Sequence, residues 1–358
     1  MSYTPNIAIH PGRIIARELS FLNMTQKMLS ERTGLSEKQF SLIIKGEASV
    51  TAETATLLAN AIGGTAEYWS NLDTLYKTVL ARNQMREKAK NEIQLIQTEN
   101  FSQTYRELVK YGYIEKTKDL ITRVLNLWKF FGVNSLYAIE RTESIAFRKG
   151  TGKKSNPIAL AAWVRCGELE ARKKQIIEYD ENKLKQSFSE IKNVIYNMPD
   201  NFFEQITGIL TNCGVILIAC PHFSGTYVNG ATKWVGRNPI IQVSIRGKMA
   251  DRLWFTLFHE IGHILRHGKK GQISCDDDNS IQEQEANNFA AEVLLPKKEY
   301  DKFRYKEDYS SNAILEFSRD EKIDPGVIVG RLQHDKLVPY NQLNFLHKQL
   351  NWKTNQTD

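Results

Sequence analysis

The segment Phe258–His263, FHEIGH, puts two histidines four residues apart with a glutamate directly after the first. Such spacing carries chemical meaning on an α-helix, where residues i and i+4 stand one turn apart on the same face. A helix is therefore expected here. Leu257, Phe258, Ile261, Ile264 and Leu265 give it apolar flanks that need burial. Gly262 leaves room beside a bound group or for close packing of a neighbouring element.

A chain of 358 residues is longer than one hydrophobic core usually serves, so two or three domains are expected. With 41% hydrophobic and 25% charged residues, the composition excludes fibrous and disordered classes. The opening MSYTPNIAIHPGRII lacks a basic stretch followed by an apolar one, and no apolar run approaches the roughly 18 residues a membrane span requires. A cytoplasmic protein with no membrane attachment is the expectation. Cys166, Cys213, Cys220 and Cys275 form no C-x-x-C pair and read as reduced structural thiols. The net charge of +7 is uneven: residues 81–160 hold 15 Lys and Arg against 8 Asp and Glu, whereas the segments on either side are balanced. Nucleic acid or an acidic protein would be drawn to such a stretch; a solvated helical surface gives the same counts and is the reading preferred.

The pattern along the chain predicts a mainly α fold with a small β-sheet, an α+β class. Residues 25–46, TQKMLSERTGLSEKQFSLIIKG, read as two short helices turning at Gly34, with Ser36 capping the second and Gln39 completing a capping box. Met28, Leu29, Leu35, Phe40 and Ile43 supply their apolar side, and a third helix closes the core through Leu57, Leu58, Ala61 and Ile62 before stopping at Gly63 and Gly64. Residues 1–77 thus form an all-helical domain, and 78–200 a helical, basic connector in which Trp128, Phe130 and Phe131 are core and GTGKKSNP is a loop. GVILIAC (214–220) and PIIQVSI (239–245) read as strands, the first fully buried and the second nearer an edge. The histidine helix, an acidic loop SCDDDNS and a second helix, IQEQEANNFAAEVLLP, complete a core over 201–300. A helical segment, 301–358, ends in a frayed TNQTD.

His259 and His263 can present imidazoles to one metal ion, with Glu260 at its side able to hold and deprotonate a water. A catalytic zinc usually takes three protein ligands. The downstream helix offers Glu285, favoured because it adjoins small Ala286 on the more regular amphipathic stretch, with Glu283 as the alternative. His267, four beyond His263, reads as a surface or outer partner, and Cys275 with Asp276, Asp277 and Asp278 as a solvated loop. One Zn2+ per chain is expected, with Mn2+ as a substitute for the same donor set.

DRLWFTLFHEIGHILRHG followed by EQEANNFAAEVLLP resembles the paired helices of the ImmA/IrrE metallo-endopeptidases, and IDPGVIVGRLQHDKLVP resembles the segment that closes them. Residues 9–69 resemble the Cro/C1-type helix-turn-helix of HigA-like antitoxins. This resemblance implies a gluzincin-like peptidase core over 201–300: His259, His263 and Glu285 as ligands, and Glu260 as general base. It ranks His334 first among the candidate oxyanion donors Tyr227, Lys233, Arg331 and His334. It also implies a zinc endopeptidase tethered to double-stranded operator DNA, acting on a partner regulator or cognate toxin in stress, toxin-antitoxin or mobile-element control. The alternative is an antitoxin or repressor whose metal site is structural, dormant or sensory. For DNA, Glu37, Lys38, Gln39 and Ser41 are expected to face bases and Gln26 and Lys45 phosphates, in a homodimer on paired half-sites. The reader is charge-neutral where many such modules are basic. A peptide substrate is expected to add as a strand along the IIQVS edge.

Overall fold

The computed structural model describes residues 7–139, 156–175, 177–244, 246–268 and 281–351. The GTGKKS segment, Cys275, the aspartates after it and the TNQTD tail lie outside the described residues. Two units are present, residues 1–93 and 94–358.

The first unit is built of α1 (Pro11–Phe21), α2 (Gln26–Thr33), α3 (Glu37–Lys45), α4 (Ala52–Ile62) and α5 (Ala66–Lys90). Four successive helices begin at a hydroxyl: Thr25, Ser36, Thr51 and Thr65 each accept a hydrogen bond from the backbone N–H three residues on. A helix needs such a partner for its first N–H groups. Gly34 ends α2 at φ 74°, a left-handed turn that glycine adopts without a Cβ clash, and so sets the angle between α2 and α3. Ile15, Leu19, Leu29, Phe40, Ile43, Leu58 and Trp69 form the core, each buried side chain contributing roughly 1.5–3 kcal/mol. Met28 is exposed instead of buried, and Ala55 takes the central place that the sequence pattern gave to Leu57. Helix α5 runs through residue 77 without a break, so the first unit extends to Ile93.

In the second unit, α6 (Ile93–Ile96), α7 (Glu99–Lys110), α8 (Leu120–Phe131), α9 (Pro157–Ala171), α10 (Glu181–Gln186), α11 (Phe188–Asn197) and α12 (Phe202–Thr211) lead to the sheet. Trp128 and Phe130 are buried as expected. The segment expected as a connector does more than connect. Ten of the residues of α9 are buried, and its Trp163 carbonyl accepts a 2.7 Å hydrogen bond from Gln242 of the central strand.

Three strands, β1 (Ile216–Ala219), β2 (Gly230–Val235) and β3 (Asn238–Val243), lie in the order β1-β3-β2, with β1 parallel and β2 antiparallel to β3. The fold is thus mainly α with a small sheet, as the sequence pattern predicted. The strand placed near an edge is the central one, however, because GATKWV, unread as a strand, pairs with its free side. A substrate cannot add along 239–243, whose backbone is taken on both sides.

Helix α13 (Ala250–His267) packs on β2 and β3 and buries Leu253, Trp254, Leu257, Phe258 and Ile261 against Ile241, Leu210 and Ile206. Across it lies α14 (Ile281–Leu294). A Cβ at Gly262 would stand 3.2 Å from the Cα of Ala286 and 3.1 Å from Phe289 Cδ1, so glycine permits this close crossing. Helices α15 (Lys297–Arg304), α16 (Ser311–Glu321) and α17 (Pro325–His334) form a smaller core round Tyr300, Phe303, Ile314 and Leu332. The last described residues clamp the first turn of α13: Ala250 N–H donates to Lys348 O at 3.0 Å, and Asp251 pairs with His347 at 2.9 Å.

Candidate metal centre

Helix α13 sets His259 and His263 one turn apart, and their Nε2 atoms lie 3.0 Å from each other. Glu283, near the start of α14, completes a triangle: Oε2 is 3.1 Å from His259 Nε2 and Oε1 is 3.3 Å from His263 Nε2. Four donors about 2.0–2.1 Å from a tetrahedral zinc are about 3.3–3.4 Å apart, and the separation of the two imidazole nitrogens and that of each from its own Glu283 oxygen are close to such an edge. Two imidazoles and a carboxylate are also the right donor chemistry. Among the described residues these three form the one group of at least three His, Cys, Asp or Glu placed to hold a metal ion.

Glu283, not Glu285, is the carboxylate placed against the two histidines. Glu285 is more than half exposed and meets His267 Nε2 at 3.0 Å instead. Helix phase explains the difference. The buried face of α14 is Glu283, Ala286, Ala290 and Leu294, spaced three and four apart, whereas Glu285 next to Ala286 is turned away by about 100°. Sequence adjacency to a small residue misled; the phase of the alanines holds the usable signal.

Electrostatics agrees with a metal-competent site. Burial is the largest influence on Glu283 and opposes its charge, yet hydrogen bonds from His259 and His263 outweigh it and hold the carboxyl at about 2. Burial likewise lowers the His263 pKa, favouring the neutral ring that ligation requires.

Glu260 projects to β2. Thr232 Oγ1 donates to its Oε2 at 2.6 Å, and also reaches the Glu260 carbonyl at 3.2 Å. A Cβ at Gly230 would fall 2.5 Å from Glu260 Oε1 and 2.5 Å from Thr256 Cγ2, so glycine there makes the space the carboxylate fills. Neither Thr232 nor Gly230 stands out in sequence, because both depend on β2, which was not read as a strand. Asn287, whose Oδ1 lies 2.9 Å from His259 Nδ1, was also missed, although its i+4 relation to Glu283 places it on the same face.

The candidate oxyanion donors are engaged elsewhere. His334 is exposed and paired with Asp335 at 3.0 Å; Arg331 bonds the same carboxylate and lies over Tyr300. Lys233 pairs with Glu168, which Arg165 also holds at 2.6 Å, and Tyr227 lies under Arg246. None of the four is brought to the histidines by these contacts. A groove of about 1760 Å3, lined by Tyr111, Tyr113, Phe202, Phe203 and Leu253, borders β1 and contains none of the metal-centre residues. In the first unit, Gln26, Glu37, Lys38, Gln39 and Lys45 are exposed and Ser41 is half-buried, all on or beside α2 and α3.

The fold and site together define a helix-turn-helix regulator joined to a peptidase-like domain with a His-Glu-His helix. Residues 217–328 match the IrrE N-terminal-like domain family (Peptidase_M78) and residues 22–69 the helix-turn-helix family, so the chain carries an IrrE-like domain behind an N-terminal helix-turn-helix. Virulence-associated protein I of Dichelobacter nodosus is 32% identical over 75 residues, which are 21% of this chain and 69% of that protein. An addiction module antidote protein of the HigA family from Coxiella burnetii shows 36% identity over 24% of this chain and 94% of its own, with a TM-score of 0.23. A putative antidote protein of a plasmid maintenance system from Nostoc punctiforme shows 29% identity over 23% and 91%, with a TM-score of 0.23. Among the described residues no helix is long and apolar enough to cross a membrane.

Proposed function

We propose that the second unit is a zinc-dependent endopeptidase acting on a partner regulator or cognate toxin, and that the first unit binds a double-stranded DNA operator as a homodimer. The observation that carries the enzymatic half is the clustering of the His259 and His263 Nε2 atoms and the two Glu283 carboxylate oxygens at 3.0–3.3 Å, on the helix whose next residue, Glu260, is bonded by Thr232. A zinc ion there would polarise a scissile carbonyl and acidify water. Glu260 accepts the proton of the attacking water and passes it to the leaving amine. Thr232 keeps one carboxylate oxygen fixed and so restrains the rotation of the carboxyl group. Substrate backbone adds along the edge of β2 away from β3, the strand that carries Thr232 and Gly230. In the first unit, Glu37, Lys38, Gln39 and Ser41 face bases while Gln26 and Lys45 meet phosphates.

A second reading is supported by burial. His259, Glu260, His263 and Glu283 are 1–5% exposed, so the centre is closed in this conformation. A metal held there without turnover would be structural, dormant or sensory, in an antitoxin or repressor of the HigA type.

Elemental analysis of protein purified without added metal tests the site. Near-stoichiometric zinc is expected in the wild type and in Glu285→Ala, and loss in His263→Ala and Glu283→Ala; zinc retained by Glu283→Ala would remove the assigned ligand. Given zinc, Glu260→Gln separates the two readings: the endopeptidase loses cleavage of its genetic partner while keeping metal, whereas the sensory protein behaves as wild type.

A further inference from the structure

Each ligand imidazole uses Nε2 toward the metal position and turns Nδ1 outward, but the two Nδ1 atoms meet different partners. His259 Nδ1 faces the Asn287 carbonyl oxygen at 2.9 Å, a single acceptor. His263 Nδ1 lies 3.0 Å from Nδ1 of another histidine, His267, whose Nε2 lies 3.0 Å from Glu285 Oε2. The His267 side chain is 6% exposed and that of Glu285 54%, so this chain of groups leads from the buried centre to the surface.

Resting on the metal-site reading above, we infer that His267 and Glu285 are positioning residues that fix the ring orientation and hydrogen placement of His263 for metal capture. The chemistry leaves one arrangement. A neutral imidazole that ligates through Nε2 carries its hydrogen on Nδ1. His263 is therefore the donor in the bond to His267, and His267 must accept through an Nδ1 without a hydrogen. Its own hydrogen then sits on Nε2, where the Glu285 carboxylate accepts it. Moving the His267 hydrogen to Nδ1 would set two N–H groups against each other at the His263 contact and a bare Nε2 against the carboxylate, so Glu285 holds the tautomer. Outer partners of this kind usually change metal affinity about 10–100-fold. In the common arrangement a carboxylate or carbonyl meets the ligand histidine directly; here an imidazole is interposed. Glu285 thus serves the centre from one residue beyond contact with a ligand.

The test uses the full chain and zinc alone, with dissociation constants from competition with a chromophoric chelator and hydrogen placement from long-range 15N–1H NMR of the histidine rings. His263→Ala and Glu283→Ala, which probe the site itself, are expected to abolish tight binding. His267→Ala is expected to weaken zinc binding about 10-fold or more, and His267→Gln, whose side-chain oxygen can accept from His263, to recover most of that loss. Glu285→Ala should weaken zinc about 10-fold and let His267 leave the Nε2–H form; Glu285→Gln, which keeps an acceptor, should restore that form. Glu285 is a surface residue, so its variants remain informative if His267→Ala fails to fold. The inference is overturned if both ligand variants lose zinc while His267→Ala and Glu285→Ala stay within about twofold of wild type and His267 keeps its tautomer. Undiminished binding in the ligand variants would instead overturn the metal-site reading, and the relay with it.

Discussion

Thr232 illustrates how a single hydroxyl sets the chemistry of a neighbour. Its 2.6 Å bond to Glu260 Oε2 restrains the carboxylate proposed to take a proton. Thr232→Val keeps the shape and removes the donor; zinc content is expected to be unchanged while kcat on a cleaved substrate falls about 10-fold, less than the roughly 10²–10⁴-fold that a general base contributes in full. Equal kcat in the variant would mean that packing alone orients Glu260. The histidines set the acid response of the metal-free protein. Burial holds His263 below its ordinary 6.5, and Glu283 sits at about 2 against an ordinary 4.5. Both folded-state values are depressed, so the unfolded chain takes up protons first as pH falls. Their stabilising contribution is present above 6.5 and 4.5 respectively and drains away on acidification, the Glu283 part down to about 2. Thermal midpoints measured in excess chelator are expected to fall from pH 7 to pH 4, and a rise would contradict the assigned burial. At this scale the sequence was legible where the spacing was local. His259, Glu260 and His263 follow from one turn of helix. The carboxylate beside the histidines required the phase of a second helix, and Ala286, Ala290 and Leu294 point to Glu283 where proximity to Ala286 suggested Glu285.

Between elements, the α13–α14 crossing controls the site, because one helix carries both imidazoles and the other the carboxylate. Gly262→Ala would place a methyl group 3.2 Å from backbone of Ala286 and 3.1 Å from Phe289, and the helices must part to accept it. A loss of about 1–3 kcal/mol is expected by chemical denaturation, together with weaker zinc binding, since Glu283 moves with α14. Stability lost with zinc affinity intact would show that the triangle tolerates a wider crossing. The helix-turn-helix was legible for a different reason: hydroxyl caps and a left-handed glycine write its boundaries locally. Strand order could not be read the same way. GATKWV opens on glycine and carries a lysine, and only the helix over it explains why Gly230 and Thr232 are buried.

On the scale of the whole molecule, the first unit ends at Ile93 and the second contains everything that builds the metal centre. The expected boundary at 77 falls within α5, where the onset of charge-rich sequence marks a solvated stretch of helix rather than its end. The proposed DNA binding belongs to the first unit, which holds the helix-turn-helix match. Lys38→Ala and Lys45→Ala are exposed changes that should leave folding intact; if Lys45 meets a phosphate, its loss should lower affinity across sequences and reduce the salt-dependence slope by about 1, whereas Lys38 at a base edge should alter sequence preference. Identical salt slopes for wild type and Lys45→Ala would place the phosphate contact elsewhere.

The near-complete burial of His259, His263 and Glu283 also has a consequence in time. In the closed conformation an ion seated behind side chains this enclosed has no open face at which to exchange a ligand for water; the centre must first open, as it must for a substrate. Residence would then be governed by the frequency of that opening and not by the strength of the bonds, so the centre would keep whichever ion was present when the chain folded.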